Sequence, residues 1–77
     1  MDYEVDIHGL NVIEAKVLLN NLLNSLSPQY DTLIVIHGYH THILRDFVRH
    51  TYKHKRIERV IISMNPGETI LQLRREY

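Results

Sequence analysis

The chain contains no cysteine. That excludes a disulfide framework, a thiolate metal centre and a cysteine nucleophile. Without a staple, 77 residues must be held by a single apolar core, helped at most by a partner. An excess of charge is also lacking. Nine basic residues balance nine acidic ones, which argues against indiscriminate coating of DNA. No apolar run is long enough to cross a membrane, and no basic stretch leading into an apolar one opens the sequence. The expected location is the cytoplasm. No repeat, linker or low-complexity segment divides residues 1–77, which read as one domain. What is present is ordinary for a globular chain: 44% hydrophobic and 23% charged residues.

The charges are unevenly placed. Residues 1–39 carry Asp2, Glu4, Asp6, Glu14 and Asp31 against Lys16, a net of −4. Residues 40–59 carry Arg45, Arg49, Lys53, Lys55, Arg56 and Arg59 against Asp46 and Glu58, a net of +4. A basic segment on a neutral protein fits a local polyanion contact, or else a solvated helix face.

Tyr3, Val5 and Ile7 alternate with Glu4, Asp6 and His8, which predicts a strand over 3–8 with one buried face. Gly9 permits a turn. Asn11 and Glu14 form a capping-box pattern opening a helix that buries Ala15, Leu18, Leu19, Leu22, Leu23 and Leu26. Asn20, Asn21 and Asn24 fall on its wet side, and Ser27-Pro28 ends it. Leu33–Ile36 is a short continuous apolar run, the pattern of a strand buried on both faces. After His37-Gly38 a second helix is expected from about Thr41 to His54. Its apolar positions are Ile43, Leu44, Phe47, Val48, Thr51 and Tyr52. A third strand is expected over Arg59–Met64. Asn65-Pro66-Gly67-Glu68 follows with the residues of a type II turn, and an antiparallel fourth strand over Thr69–Arg74 leads to a fraying tail. The order β-α-β-α-β-β, with right-handed crossovers, gives an α/β (α+β) two-layer sandwich. Its mixed four-stranded sheet carries two helices on one face.

Two His-Gly corners, His8-Gly9 and His37-Gly38, end the first two strands. If those strands are parallel, both corners reach one sheet edge, where open α/β sheets bind ligands. Two imidazoles titrating near neutrality can act as acid and base toward a phosphodiester. Asp6, on the same strand face as His8, can orient it. Thr41 can donate to a phosphate oxygen, and Arg45 can neutralise its charge. Six histidines also raise a metal reading, with His37, His40, His42 and His8 or Asp6 around zinc. Their spacing matches no metal motif. No cofactor is expected; a divalent metal stays open but has no support in the spacing.

Asp6-Ile7-His8-Gly9-Leu10, then Glu14-Ala15, then His37-Gly38 with Thr41, Leu44 and Arg45, resembles the small MutS-related (Smr) domain family. That family carries a D-hydrophobic-H-G motif after its first strand and a downstream motif of the H-G-x-G-T-G-x-L-R type. The resemblance covers nearly the whole chain. It implies a sandwich similar to the C-terminal domain of translation initiation factor three. It also implies binding of DNA or RNA and, in some members, endonuclease activity by nicking or RNA cleavage. Related proteins include domains attached to mismatch-repair-like ATPases and factors that cleave messenger RNA at stalled ribosomes. A ribosome or a larger protein is therefore an implied context.

Carried over, the resemblance assigns catalytic roles to Asp6, His8 and His37. It assigns nucleic-acid contacts to Gly9, Gly38, Thr41 and Arg45, to which the basic face adds Arg49 and Lys53. The chain departs from the family at His40 and His42, which replace glycines, and at Tyr39, where a basic residue is common. Glycines there let backbone N–H groups approach a phosphate; histidines crowd that approach. Protonated His40 and His42 can donate to phosphate instead, and Tyr39 can stack on an unpaired base. Three functions follow: a nucleic-acid-binding endonuclease, a binding module without catalysis, and a protein-interaction domain, monomer or weak dimer, using the open sheet face.

Overall fold

Asp2–Asp6 forms β1. In the computed structural model, which describes residues 1–40 and 42–75, its Tyr3 and Val5 pack against the core while Asp2, Glu4 and Asp6 face water. The helix α1, Val12–Ser25, starts at the capping box. Glu14 N–H donates to Asn11 Oδ1 at 2.8 Å, and Asn11 N–H to Glu14 Oε1 at 3.0 Å. Ala15, Leu19 and Leu23 are buried. Leu18, Leu22 and Leu26 pack partly buried beside them.

β2, Thr32–Ile36, pairs in parallel with β1, and β4, Glu68–Leu73, inserts antiparallel between β2 and β3, Ile57–Ile61. The sheet order is β1-β2-β4-β3. Both strand-helix-strand crossovers move across the sheet in one direction, so right-handed connections place both helices on one face. Register defines that face: Val5, Val35 and Thr69 share one row, and Tyr3, Leu33, Leu71 and Val60 the next. The core between the layers is Ile7, Ala15, Leu19, Leu23, Leu33, Val35, Leu44, Phe47, Val48, Tyr52, Leu71 and Leu73. Each fully buried large side chain there contributes roughly 1.5–3 kcal/mol.

The two-layer architecture corrects the expectation that β2 is buried on both faces. Leu33 and Val35 are buried, but Ile34 and Ile36 are only half-covered. Among the described residues no second helical layer lies over them; they share the open face with Ile70 and Ile61.

The second helix also differs. It runs over Ile43–Asp46 as α2 and continues as a π-helical turn over Phe47–Thr51, stopping before His54. The Tyr52 N–H reaches back five residues to the Phe47 carbonyl at 2.7 Å. This wider turn swings Tyr52 inward, against Phe47 with ring centroids 5.5 Å apart. Its hydroxyl donates to Asn20 Oδ1 at 2.7 Å, and burial pushes its pKa up to about 12.

β3 begins at Ile57, two residues before the expected start, because the Arg74 N–H pairs with the Arg56 carbonyl at 2.8 Å. It ends at Ile61, leaving Ile62 and Met64 exposed. The Glu68 N–H still bonds the Asn65 carbonyl, at 3.3 Å, but Gly67 has no positive φ, so the turn is not type II. Gly67 is needed for space instead: a Cβ there would lie 2.9 Å from the Tyr39 ring.

Arg56 is a further departure. It is 1% exposed, not on a basic face. Its guanidinium donates to the carbonyls of Leu23, Leu26, Ser27 and Tyr30. The last turn of α1 carries no basic residue of its own, so Arg56 supplies the positive charge and donors that a helix C-terminus attracts.

Candidate nucleic-acid interface

The parallel register of β1 and β2 sets Asp6 opposite Ile36, so both His-Gly corners reach the same sheet edge. The first corner is a tight turn. Leu10 N–H bonds the Ile7 carbonyl at 3.1 Å, and Gly9 takes φ +84°, the positive value a type II turn requires at its third residue. This turn leaves His8 at the tip. Its Nδ1–H donates to Asp6 Oδ1 at 2.6 Å, and the same oxygen accepts the His8 backbone N–H at 2.9 Å. These two bonds, the ring's first, hold the Asp6 carboxyl below its ordinary pKa. An ionised Asp6 fixes the Nδ1–H tautomer, so His8 Nε2 is left as the ring's lone-pair nitrogen on a side chain 68% exposed.

The second corner is built differently. Gly38 has φ +84°, and a Cβ there would meet His8 Cβ at 3.3 Å. The two corners therefore touch. His37, however, is 3% exposed. Its Nε2 lies 2.9 Å from Thr69 Oγ1 and its Nδ1 3.3 Å from the Gly38 carbonyl. Arg49 Nε–H donates to the same Thr69 oxygen at 2.8 Å, and its Nη2 to the Glu68 carbonyl at 3.0 Å. The pattern assigns a neutral His37: Nδ1–H faces the carbonyl and Thr69 donates its one hydroxyl proton to Nε2. Burial lowers the His37 pKa, and Arg49 and Arg45 lower it further.

The sign of the resulting pH dependence is fixed. A histidine whose folded pKa is depressed contributes stability that is complete above the unfolded value near 6.5 and is lost as pH falls through the folded one. His54 is shifted the same way, mainly by burial. Thermal unfolding between pH 8 and 5 should show a constant midpoint down to about 6.5 and a falling one below. His37→Gln should make that fall shallower.

The other expected contacts divide clearly. His8, Gly9, His37, Gly38, Tyr39 and His40 line one concavity of about 470 Å³. Tyr39, His40 and His42 are exposed. Arg45 is half-buried and pairs with Asp46 at 3.3 Å. Arg49 is half-buried and bonds the start of β4. Lys53 is exposed but lines a separate groove beside β3. Thr41 lies outside the described residues. Among the described residues no three His, Asp or Glu side chains are grouped as a metal ion needs. Among the described residues no helix is long and apolar enough to cross a membrane.

Thr69, Asn65 and Gly67 were read from the sequence only as turn and strand residues, yet they shape the site from the β3–β4 side. The His37 and Gly38 N–H groups both bond the Gly67 carbonyl, at 2.9 and 3.0 Å.

Comparisons with known proteins agree with this geometry. The Smr domain family model matches residues 5–69. The crystal structure of the Smr domain of Thermus thermophilus MutS2 superposes with a TM-score of 0.79 at 31% identity, over 92% of this chain and 96% of that one. No curated protein matches. Smr domains bind nucleic acids in general. With a matching family model over most of its length and a related solved structure, the chain belongs to the Smr domain family.

Proposed function

We infer that this domain binds nucleic acid at the joined ends of β1 and β2, and that His8, oriented by Asp6, acts on a bound phosphodiester. The observation that carries this reading is the 2.6 Å Asp6–His8 bond, with the opposite ring nitrogen on an exposed side chain. A carboxylate on Nδ1 holds the imidazole in one orientation and stabilises its protonated form once Nε2 has taken a proton. His40 lines the same concavity and is the second exposed imidazole there. It suits proton delivery to a leaving oxygen. His37 serves as a positioning residue, holding Gly38 against His8 through the Arg49–Thr69–His37 chain.

A second reading, binding without cleavage, draws on the burial of His37, which removes one of the two His-Gly imidazoles from contact with substrate. One assay separates the two. Labelled single-stranded RNA, duplex DNA and branched DNA are run with the wild type, His8→Ala and Asp6→Ala. Cleavage by the wild type that both variants lose supports catalysis at the β1 end. Retarded bands without cleavage leave the binding module, and neither retardation nor cleavage removes both readings.

A further inference from the structure

Tyr39 is an anomaly on this surface. It is the largest side chain of the concavity and is 69% exposed, yet its hydroxyl end is held. Its hydroxyl donates to Asn65 Oδ1 at 2.9 Å. One side of its ring rests on Gly67, close enough that a Cβ there would come within 2.9 Å of Cζ and 3.1 Å of Cε2. Asn65 is itself fixed, accepting the Gly67 N–H at 2.9 Å and donating to Glu68 Oε1 at 2.8 Å. An aromatic ring backed by a glycine and tethered by its hydroxyl loses little freedom when something stacks on its open side. An exposed ring that folding has already ordered is suited to a planar ligand.

Resting on the reading of this edge as a nucleic-acid interface, we propose that Tyr39 is a base-stacking platform mounted on the β3–β4 turn, and that it selects unpaired over paired strands. A base inside a duplex presents only its edges to a protein, whereas an unpaired base offers its face. Tyr39 and His8 line one concavity, so a nucleotide stacked on Tyr39 lies beside His8. Asn65 and Gly67 are positioning residues in this account. Gly67 has no positive φ, so its lack of a side chain is required by the ring above it and not by the backbone.

The test measures affinity by fluorescence anisotropy for a single-stranded RNA and for the same sequence as a duplex. Tyr39→Leu keeps apolar bulk without a π face and should weaken single-strand binding about 10-fold or more, leaving duplex binding within about 2-fold. Tyr39→Phe keeps the ring and should stay within about 3-fold of wild type. Gly67→Ala should reproduce the selective loss with Tyr39 still present, because the new methyl displaces the ring. The double variant Tyr39→Leu, Gly67→Ala should be no weaker than Tyr39→Leu alone. Equal losses for single strand and duplex, or Gly67→Ala binding like wild type, would overturn the platform and leave the interface reading standing. A wild type that binds neither RNA, nor the same sequences as single-stranded and duplex DNA, overturns both. Unchanged amide spectra for the variants establish that the fold is intact.

Discussion

Replacing His8 by Ala is expected to lower phosphodiester cleavage by about 10²–10⁴-fold, the usual contribution of one positioned acid–base group. The side chain is exposed, and among the described residues it bonds Asp6, so the fold should survive the change. Binding should fall far less than cleavage. Asp6→Ala should cost less than His8→Ala, since it frees the ring's orientation without removing the base. Asp6 is ionised well into the acid range, because the His8 ring and backbone N–H lower its pKa. The acid limb of the rate profile should therefore not report this carboxylate. Single-turnover cleavage of a labelled strand across pH 5–9, wild type against both variants, measures all three quantities. Cleavage that persists in His8→Ala would move the chemistry away from the β1 end.

Replacing Arg56 by Ala should produce the largest loss of stability of any single exchange on the basic segment. The side chain is 1% exposed and bonds four carbonyls around the end of α1. Hydrogen bonds from a charged donor are each worth about 1.5–3 kcal/mol, and the buried carbonyls left behind cost more when nothing replaces the donor. A loss of about 3–5 kcal/mol is expected. Domains of this kind are stable by only about 5–15 kcal/mol in total. The melting midpoint should fall by roughly 15–30 °C. Arg56→Lys should recover little, because an ammonium lacks the planar fork that spans several acceptors. Lys53→Ala, on an exposed neighbour, should change stability by less than about 0.5 kcal/mol. Thermal unfolding by circular dichroism compares the three. A drop below about 1 kcal/mol for Arg56→Ala would mean that water satisfies those carbonyls, contrary to the burial seen.

Local chemistry made much of the fold legible. The alternation at Tyr3, Val5 and Ile7, the Asn11–Glu14 box and the Ser27-Pro28 stop depend on neighbours within a few residues. They therefore predicted β1 and both ends of α1 closely. The parallel pairing of β1 and β2 followed from chain order. Features that depend on residues far apart were not legible. Arg56 reads as surface charge until the end of α1, some 30 residues earlier, is placed beside it. His37 reads as an exposed acid–base partner until Thr69 and Arg49 arrive from other elements. Gly67 suggested a type II turn because glycine most often serves the backbone; here it makes room for Tyr39, a contact between distant segments. The π-helical turn at Phe47–Thr51 has no periodic signature in so short a helix and shows only through the burial of Tyr52.

The position of the interface is the central claim, and amide chemical-shift mapping during titration with a short single-stranded RNA tests it most directly. The account predicts that the largest shifts fall on His8, Gly9, Gly38, Tyr39 and His40, at the joined ends of β1 and β2. Shifts concentrated instead on Ile34, Ile70 and Ile61, across the open sheet face, would contradict it.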